Sequence, residues 1–376
     1  MPEILSATLT LAQDEAFARI RLLRSPNVGP VSYAQLLRRF GSAGLALEAL
    51  PDLASRGGTA YRPAPKDRIE AEIAAVKRSG ARYLFHDSPD YPALLAQYDG
   101  APPILTVRGE AGIAMRPSVA VVGARNASAA AVKLSRDFAM ALADAGFIIV
   151  SGLARGIDGA AHRGALSAGA GGGGTIGVIA SGIDIAYPPE HADLQAEIAE
   201  KGLLIAEQPP GVEPLARHFP SRNRIIAGLA AGTLVVEAAP KSGSLITARL
   251  AGEAGREIMA IPGSPLDSRS QGCNQLIRDG AVLVQSPADV IELLEGFTGS
   301  PRSMFREAAA SFLPVHDELT DEPADIAGLL TTAPVSVDEL IRQSGESAAA
   351  VQLALLELEL AGRLVRHAAG RVSLSG

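Results

Sequence analysis

The chain has 376 residues, of which 47% are hydrophobic and 20% are charged, and its formal net charge is −7. This length exceeds what one core serves efficiently and predicts two or three domains. Proteins that coat nucleic acid through bulk charge are basic, so a nucleic-acid site on this acidic chain would have to be a local basic patch. Aromatic residues make up only 4%, which argues against a surface built mainly of aromatic stacking platforms.

The cysteine count and the hydropathy pattern indicate the cellular compartment of the chain. Cys273 is the sole cysteine, which excludes an intramolecular disulfide and predicts a reducing, cytoplasmic location. The first residues show no basic stretch followed by an apolar run, so no signal peptide is predicted. Residues 164–183 carry no charge, but four glycines at 171–174 make this stretch a poor membrane helix. No membrane-spanning segment is therefore expected.

Residues 1–78 are predicted to form a small helical domain. Apolar residues recur at helical spacing in 16–23 and 33–40, and the sequence SPNVGP at 25–30 separates them. This arrangement resembles a helix–hairpin–helix element, whose backbone N–H groups can bind DNA phosphates. A purely structural turn between two helices explains the pattern equally well.

Residues 79–296 alternate short β-branched runs with stretches of helical pattern, such as 129–145 and 246–254. This alternation predicts an α/β fold with a mostly parallel, doubly wound sheet covered by helices on both faces. The strands are predicted at 104–107, 119–122, 147–150, 175–179, 203–205, 233–236, 257–261 and 281–284.

Residues 297–324 lose periodicity and predict a linker, and residues 325–376 predict a winged-helix domain. Helices are expected at 326–330, 337–344 and 348–360, followed by a hairpin around Gly370. The third helix contains no Lys or Arg and two Glu, whereas a helix in the major groove needs donors and cations. The tail is therefore predicted to contact protein rather than duplex DNA.

Four short runs place glycine, hydroxyl or basic groups where buried strands are predicted to end. They are VGAR at 122–125, SGLARGID at 151–158, FPSRNR at 219–224 and KSGSLIT at 241–247. Ligands of open α/β sheets bind at the carboxyl ends of the strands, and N–H groups at helix starts bind anions there. The runs therefore predict one phosphate-binding crevice.

Within these runs the residue types suit phosphate, although a tight strand-to-helix turn explains the glycines alone equally well. The third run belongs to a basic stretch, containing Arg217 and His218 as well, that has no acidic residue between Glu213 and Glu237. A solvated charged face is its alternative interpretation. The candidate DNA- or phosphate-binding residues are Arg125, Ser151, Gly152, Arg155, Gly156, Arg222, Asn223, Arg224, Lys241, Ser242, Gly243 and Ser244.

Signals for catalysis, metals and cofactors are weak. The glycines at 169–174 formally match G-x-G-x-x-G but precede a strand, so a dinucleotide site is not predicted, and a P-loop motif is absent from the sequence. Asp158 and His162 share a helix face without a third metal ligand at characteristic spacing. Cys273 is expected to be a small buried residue rather than a nucleophile. The sequence therefore favours a binding protein without cofactor, metal or catalytic residues over an enzyme.

From about residue 10 to its end, the chain resembles the DNA-processing protein A family (DprA, also called Smf). The matching segments are 119–125, 151–158, 180–188, 207–211, 219–229, 241–249, 262–263 and 272–277. The resemblance implies an extended Rossmann-like domain between a SAM- or helix–hairpin–helix-like domain and a winged-helix domain. It implies a protein that binds single-stranded DNA, protects incoming DNA and loads the RecA recombinase during natural transformation. A homodimer through the Rossmann-like domain is also implied.

By position, the resemblance makes Arg125, Arg155, Arg222, Arg224 and Lys241 the DNA-contacting cations, with residues 242–244 holding phosphate. Ser221 stands where a basic residue is common, which predicts a weaker patch. Ala206 and His191 also depart from the family pattern, and the glycine loop at 171–174 resembles an insertion.

Two other functions compete with this interpretation. A nucleotide phosphoribohydrolase of the lysine-decarboxylase-like Rossmann group would also bind phosphate at such turns, but its P-G-G-x-G-T-x-x-E run is absent from the sequence. A transcription regulator would use the winged tail, and the acidic third helix argues against it.

Overall fold

A computed structural model of the chain describes residues 11–295, apart from 57, 59, 99 and 170, and residues 322–375, apart from 368 and 369. Two compact units are present: a central unit, Glu72–Arg302, and a unit combining Met1–Ala71 with Ser303–Gly376. The predicted linker lies almost wholly outside the described residues. Among the described helices, none is long and apolar enough to span a bilayer.

The central unit contains a nine-stranded sheet. Its strands are β1 (Arg82–Phe85), β2 (Ile104–Gly109), β3 (Ser118–Val122), β4 (Ile148–Ser151), β5 (Thr175–Gly182), β6 (Leu203–Gln208), β7 (Gly232–Val235), β8 (Glu257–Ala260) and β9 (Val282–Leu283). The spatial order is β1-β2-β6-β5-β4-β3-β7-β8-β9. Pairing is parallel from β6 to β9, while β1 and β2 add antiparallel pairs at one end.

Helices begin the chain and then alternate with these strands. They are α1 (Gln13–Leu23), α2 (Pro30–Phe40), α3 (Ala43–Arg56), α4 (Lys66–Arg78), α5 (Ala93–Ala96), α6 (Ala129–Asp144), α7 (Ile157–Leu166), α8 (Ala192–Lys201), α9 (His218–Leu229), α10 (Gly243–Glu253), α11 (Gln271–Arg278) and α12 (Pro287–Glu295). Short 3₁₀ helices lie at Ala111–Met115 and Pro189–His191.

The centre of the sheet is buried on both faces: every residue of β3, β4, β5 and β7 is buried, and most of these residues are apolar. Alternate residues of β3 enter different cores: Val119 and Val121 on one face, Ala120 and Val122 on the other. The first face is covered by α6, α7 and α12, and the second by α9, α10 and α11. This confirms the predicted doubly wound α/β architecture.

The strand order reverses between β3 and β7. From β3 the chain moves outward through β4, β5 and β6, and it then returns to β7 and continues outward on the other side. The carboxyl ends of β3 and β7 therefore flank a topological switch point, which is where open α/β sheets bind their ligands.

Three sequence expectations differ from the structure. Strand β1 was not predicted, because it has four residues and only Leu84 and Phe85 are buried. The run at 219–224 does not follow a strand: β6 ends at Gln208, and the run forms the first turns of α9. The helix expected at 326–330 is a single 3₁₀ turn, Ala327–Leu329.

In the other unit, the C-terminal part has the winged-helix order. It contains β10 (Val335–Ser336), α13 (Val337–Ser344), α14 (Ala348–Leu360), β11 (Leu364–His367) and β12 (Arg371–Leu374). The two helices begin and end as predicted. Ser336 and Ser347 cap their N-termini by accepting hydrogen bonds from backbone N–H groups.

Helix α14 is the third helix of this winged fold, and it is buried on nearly all sides. One side of it joins the winged-helix core, while Leu353, Leu356 and Leu360 pack into the core of α1, α2 and α3. The side-chain amide of Asn27 donates to the carbonyl of Leu360 at 3.0 Å, linking the turn before α2 to the end of α14. The helix thus contacts protein within its own unit, which fits its lack of cationic residues.

Candidate nucleic-acid interface

The loop after β3 is tied to the end of β7 across the switch point. The backbone N–H of Ala124 donates to the carbonyl of Glu237 at 2.7 Å. The buried Glu237 carboxylate accepts from the backbone N–H of Ser128 at 3.0 Å and from its hydroxyl at 2.6 Å. These bonds fix the loop and leave Arg125 exposed at its tip.

Gly156 lets the loop after β4 meet the loop after β3. Its φ is +73°, and a Cβ there would lie 2.3 Å from the carbonyl oxygen of Ala124. A side chain would therefore clash with backbone, which is the close approach expected of a glycine at such a turn. The two loops carry Arg125 and Arg155, and both side chains are exposed.

Arg222 lies in the first turns of α9 and is only 6% exposed. Its Nη1 donates to the carbonyl of Val178 at 3.0 Å. A Cβ at Gly152 would lie 1.6 Å from the same Nη1, so this glycine makes room for the guanidinium. Burial lowers the pKa of Arg222 to about 10, and the facing carboxylate of Asp158 favours the charged form.

Asp158 is the counter-charge beside this arginine. It is 6% exposed and accepts from the backbone N–H groups of Gly152 at 3.2 Å and Ala154 at 3.4 Å. Burial raises the pKa of Asp158, while Arg222 and the two amides act in the opposite direction. The carboxylate therefore braces the loop after β4 through these two amides and places a negative charge near the guanidinium.

Arg222 keeps unused hydrogen-bonding capacity. Its Nε is buried and has no hydrogen-bond partner among the described residues. Leaving a buried charged donor unpaired is costly, so this guanidinium is incompletely satisfied within the described residues.

Phe219 brings two cations together. The Cζ of Arg125 lies 4.9 Å from the centre of the Phe219 ring, and the Cζ of Arg222 lies 6.0 Å from it. The ring of Tyr187 meets the Phe219 ring edge-on at 5.8 Å. Two guanidinium groups around one ring repel each other, and a bound anion offsets that repulsion.

The start of α10 forms a second set of anion-binding groups. Ser242 is the N-cap residue, and its hydroxyl lies 2.8 Å from that of Ser244. Lys241 is exposed, with a φ of +66°, and Gly243 is exposed beside it. The side-chain amide of Asn223 donates to the carbonyl of Gly243 at 3.4 Å, which connects α9 to this helix start. Free N–H groups and a cation here suit a phosphate.

Two of the remaining predicted residues, Ser151 and Arg155, already have partners within the protein. Ser151 is fully buried, and its hydroxyl donates to the carbonyl of Val121 at 2.6 Å, so it holds two strands together. Arg155 forms an exposed ion pair with Glu190.

Arg224 is turned away from Arg222. It forms an ion pair with Glu207 and donates to the carbonyl of Gly100, and its side chain is only 17% exposed. Positions two apart on a helix point about 200° apart, which explains the separation. The structure therefore groups Arg125, Arg222, Asn223 and the start of α10, and does not bring Arg224 to them.

His162 has a structural role next to the buried strands β4 and β5. It is fully buried, and its Nδ1 lies 2.7 Å from the hydroxyl of Thr175, which itself donates to the carbonyl of Ile149. Burial is the main reason that the pKa of His162 falls to about 3. Among the described residues, no group of three or more His, Cys, Asp or Glu side chains could hold a metal ion.

This buried histidine predicts a pH-dependent stability. The unfolded chain takes up a proton on His162 below about pH 6.5, whereas the folded chain does not until about pH 3. The free energy of unfolding should therefore fall by about 1.4 kcal/mol per pH unit on acidification through this window. His162→Gln should remove this contribution, because glutamine does not titrate. The difference in the free energy of unfolding between the parent and the variant, measured by urea titration, should therefore become about 2 kcal/mol smaller from pH 6.5 to pH 5. Parallel stability profiles would contradict this assignment.

Several contributors were not singled out by the sequence as site residues. Glu237, which fixes the Arg125 loop, and Glu190, which pairs with Arg155, lie far along the chain from their partners. Phe219 is the first residue of the basic run at 219–224, and its position in that run is the sequence signal that could have identified it. Cys273 is fully buried, and burial raises the pKa of its thiol to about 11, as expected for a small core residue.

The fold defines a doubly wound α/β protein with cationic side chains grouped at its topological switch point. Family models match three parts of the chain: DNA recombination-mediator protein A at residues 82–295, a DprA-like N-terminal HHH domain at 13–75 and a DprA winged helix domain at 310–370. The chain belongs to the DNA recombination-mediator protein A (DprA/Smf) family.

Relatives agree with this membership. Protein Smf of Escherichia coli is 37% identical over 315 residues, which is 82% of each chain. A putative DNA processing protein DprA of Mycobacterium tuberculosis is 35% identical over 373 residues, 93% of this chain and 91% of the relative. The crystal structure of DNA processing protein A from Streptococcus pneumoniae has a TM-score of 0.62 at 36% identity and covers 76% of this chain and 98% of its own.

A structure described for its single-stranded DNA binding mode provides a further comparison. It is DNA processing protein A from Helicobacter pylori, with a TM-score of 0.51 at 28% identity. The match covers 57% of this chain and 95% of that protein. The family membership and these relatives place the chain in DNA processing and recombination.

Proposed function

We propose that this protein binds single-stranded DNA along the carboxyl edge of its sheet, protects incoming DNA and loads RecA onto it in the cytoplasm during natural transformation. The observation that carries the proposal is the pair of guanidinium groups, Arg125 and Arg222, gathered around the ring of Phe219. The proposed role is binding rather than a chemical step.

A linear polyanion fits this edge better than a single small anion. Anion-binding groups extend from the start of α10, through Asn223, to the two arginines and on to Tyr187 and Arg155. A backbone of repeating phosphates can satisfy several of these positions at once. The net charge of −7 keeps the rest of the surface unattractive to DNA, so binding concentrates at the crevice.

An unpaired strand also fits better than a duplex. The helix that would read duplex DNA in a winged-helix domain is α14, which is buried against α3 and carries no cation. In the crevice, aromatic rings lie among the cations, and this combination is typical of single-strand binding. Bases of a duplex are paired inside the helix and cannot reach such rings.

Fluorescence anisotropy with matched single- and double-stranded oligonucleotides tests the proposal. We expect tighter binding of the single strand at every salt concentration, with little preference for base sequence. The logarithm of the affinity should fall with the logarithm of salt by about 0.7 per phosphate neutralised. Equal affinity for both forms would contradict it, and release of free base from nucleoside monophosphates would instead support a phosphoribohydrolase.

The proposed homodimer has a candidate surface on the central unit. Strand β9 is at the edge of the sheet, and its two residues, Val282 and Leu283, are 37% and 45% exposed. Exposed apolar edge strands are open to pairing with a second chain.

Leu283→Glu should therefore convert the dimer to a monomer, because it places a charge in an apolar contact. Sedimentation equilibrium measures the change. Val365→Glu, at a similarly exposed residue of β11, is the matched control and should leave the mass unchanged. A Leu283→Glu protein of unchanged mass would show that this edge is not the dimer surface.

A further inference from the structure

Tyr187 is the exposed aromatic residue of the crevice. It follows β5, and 42% of its surface is exposed although its ring contacts Phe219. The two rings are inclined at 60° and therefore meet edge to face rather than stacking, and part of Tyr187 remains accessible to a ligand.

Two cations lie near this ring. Arg125 stacks on Phe219, the ring that Tyr187 touches. Arg155 interacts electrostatically with Tyr187 as well as with Glu190. The aromatic surface therefore lies close to two cationic side chains that can attract phosphates.

Few ligands match this pattern of one flat aromatic surface close to two cations. A nucleobase with its flanking phosphates does, because it presents a π-face and two negative charges in sequence. A polyphosphate or a polyanion without rings would use the cations and leave the tyrosine exposed.

We propose that Tyr187 stacks a nucleobase of the bound strand while Arg125 and Arg155 bind the phosphates on either side of it. This inference rests on the proposed single-stranded DNA binding and adds to it a recognition of bases as a class, independent of their identity. Stacking of this kind is tolerant of sequence because every base has a π-face.

The test compares a thymidine oligonucleotide with an abasic oligonucleotide of the same length and charge, using anisotropy on the full chain. Tyr187→Ala should weaken binding of the thymidine oligonucleotide about 5- to 150-fold and leave the abasic one within about twofold. Tyr187→Phe should preserve binding of both. Leu266→Ala, at a side chain that is 96% exposed, is the matched control and should change neither.

The outcomes separate this inference from the proposed function. If the parent protein binds neither oligonucleotide, single-stranded DNA binding itself is refuted. If the parent binds the thymidine oligonucleotide and Tyr187→Ala has no effect, or weakens both oligonucleotides alike, stacking is refuted while DNA binding stands. Thermal unfolding of each variant, measured alongside, identifies a loss that comes from misfolding, and Tyr187→Phe then decides whether the ring itself is required.

Discussion

Replacing Arg125 by alanine is expected to weaken single-stranded DNA binding about 10- to 100-fold, with little change in thermal stability. A hydrogen bond to a charged group contributes about 1.5–3 kcal/mol, which corresponds to this range. The side chain is exposed, and it has no ion-pair partner among the described residues. Anisotropy titrations at one fixed salt concentration measure the effect.

Stability should survive because Arg125 contributes little to the fold. The Arg125→Ala protein loses a cation–π contact with Phe219 worth about 0.5–1 kcal/mol. Removing the guanidinium also relieves its repulsion with Arg222. Lys133→Ala, on the exposed face of α6, removes the same charge outside the crevice and is the matched control. Equal binding by both variants would show that the loop after β3 does not contact DNA.

Replacing Gly152 by alanine is expected to abolish binding and to lower stability together. The new Cβ would lie 1.6 Å from Nη1 and 2.4 Å from Cζ of Arg222, so the buried guanidinium must leave its position. Arg222 would then lose its hydrogen bond to the carbonyl of Val178 and its place near Asp158, and leaving such buried charged groups unsatisfied costs about 3 kcal/mol. The thermal midpoint should fall by roughly 10 °C for a domain of this size.

Gly243→Ala is the matched control for this prediction. Gly243 lies in the same crevice, and a Cβ there meets nothing within 4 Å. Its thermal midpoint should stay within about 2 °C of the parent, since no large mechanism of destabilisation applies. Binding by Gly152→Ala is measured well below its own midpoint, and full affinity at that temperature would show that Arg222 does not hold the strand.

Much of the fold could be predicted because buried parallel strands are continuous apolar runs bounded by turns. The starts of helices were predicted less accurately. Helix α10 begins at Gly243 rather than at residue 246, although Ser242 is a residue type that commonly caps a helix. Strand β1 and the 3₁₀ turn at Ala327–Leu329 were missed because short elements carry too few residues to show a period.

The candidate site could be predicted to the level of its loops but not of its side chains. The rule that ligands bind at strand ends grouped the loops carrying Arg125, Gly156 and Lys241. It could not show that Arg224 faces Glu207 instead, because that depends on how α9 is rotated against the sheet. Contacts such as Ser128 with Glu237 join residues more than a hundred positions apart and leave no local signal.

The salt dependence of single-stranded DNA binding, compared between the parent and an Arg125→Ala, Lys241→Ala double variant, tests the central claim most directly. Each phosphate contact on a single strand contributes about 0.7 to the slope of log affinity against log salt, so losing two contacts should reduce the slope by about 1.4. The affinity should fall as well. An unchanged slope would mean that these two cations neutralise no phosphate, and the crevice at the switch point would then not be the DNA site.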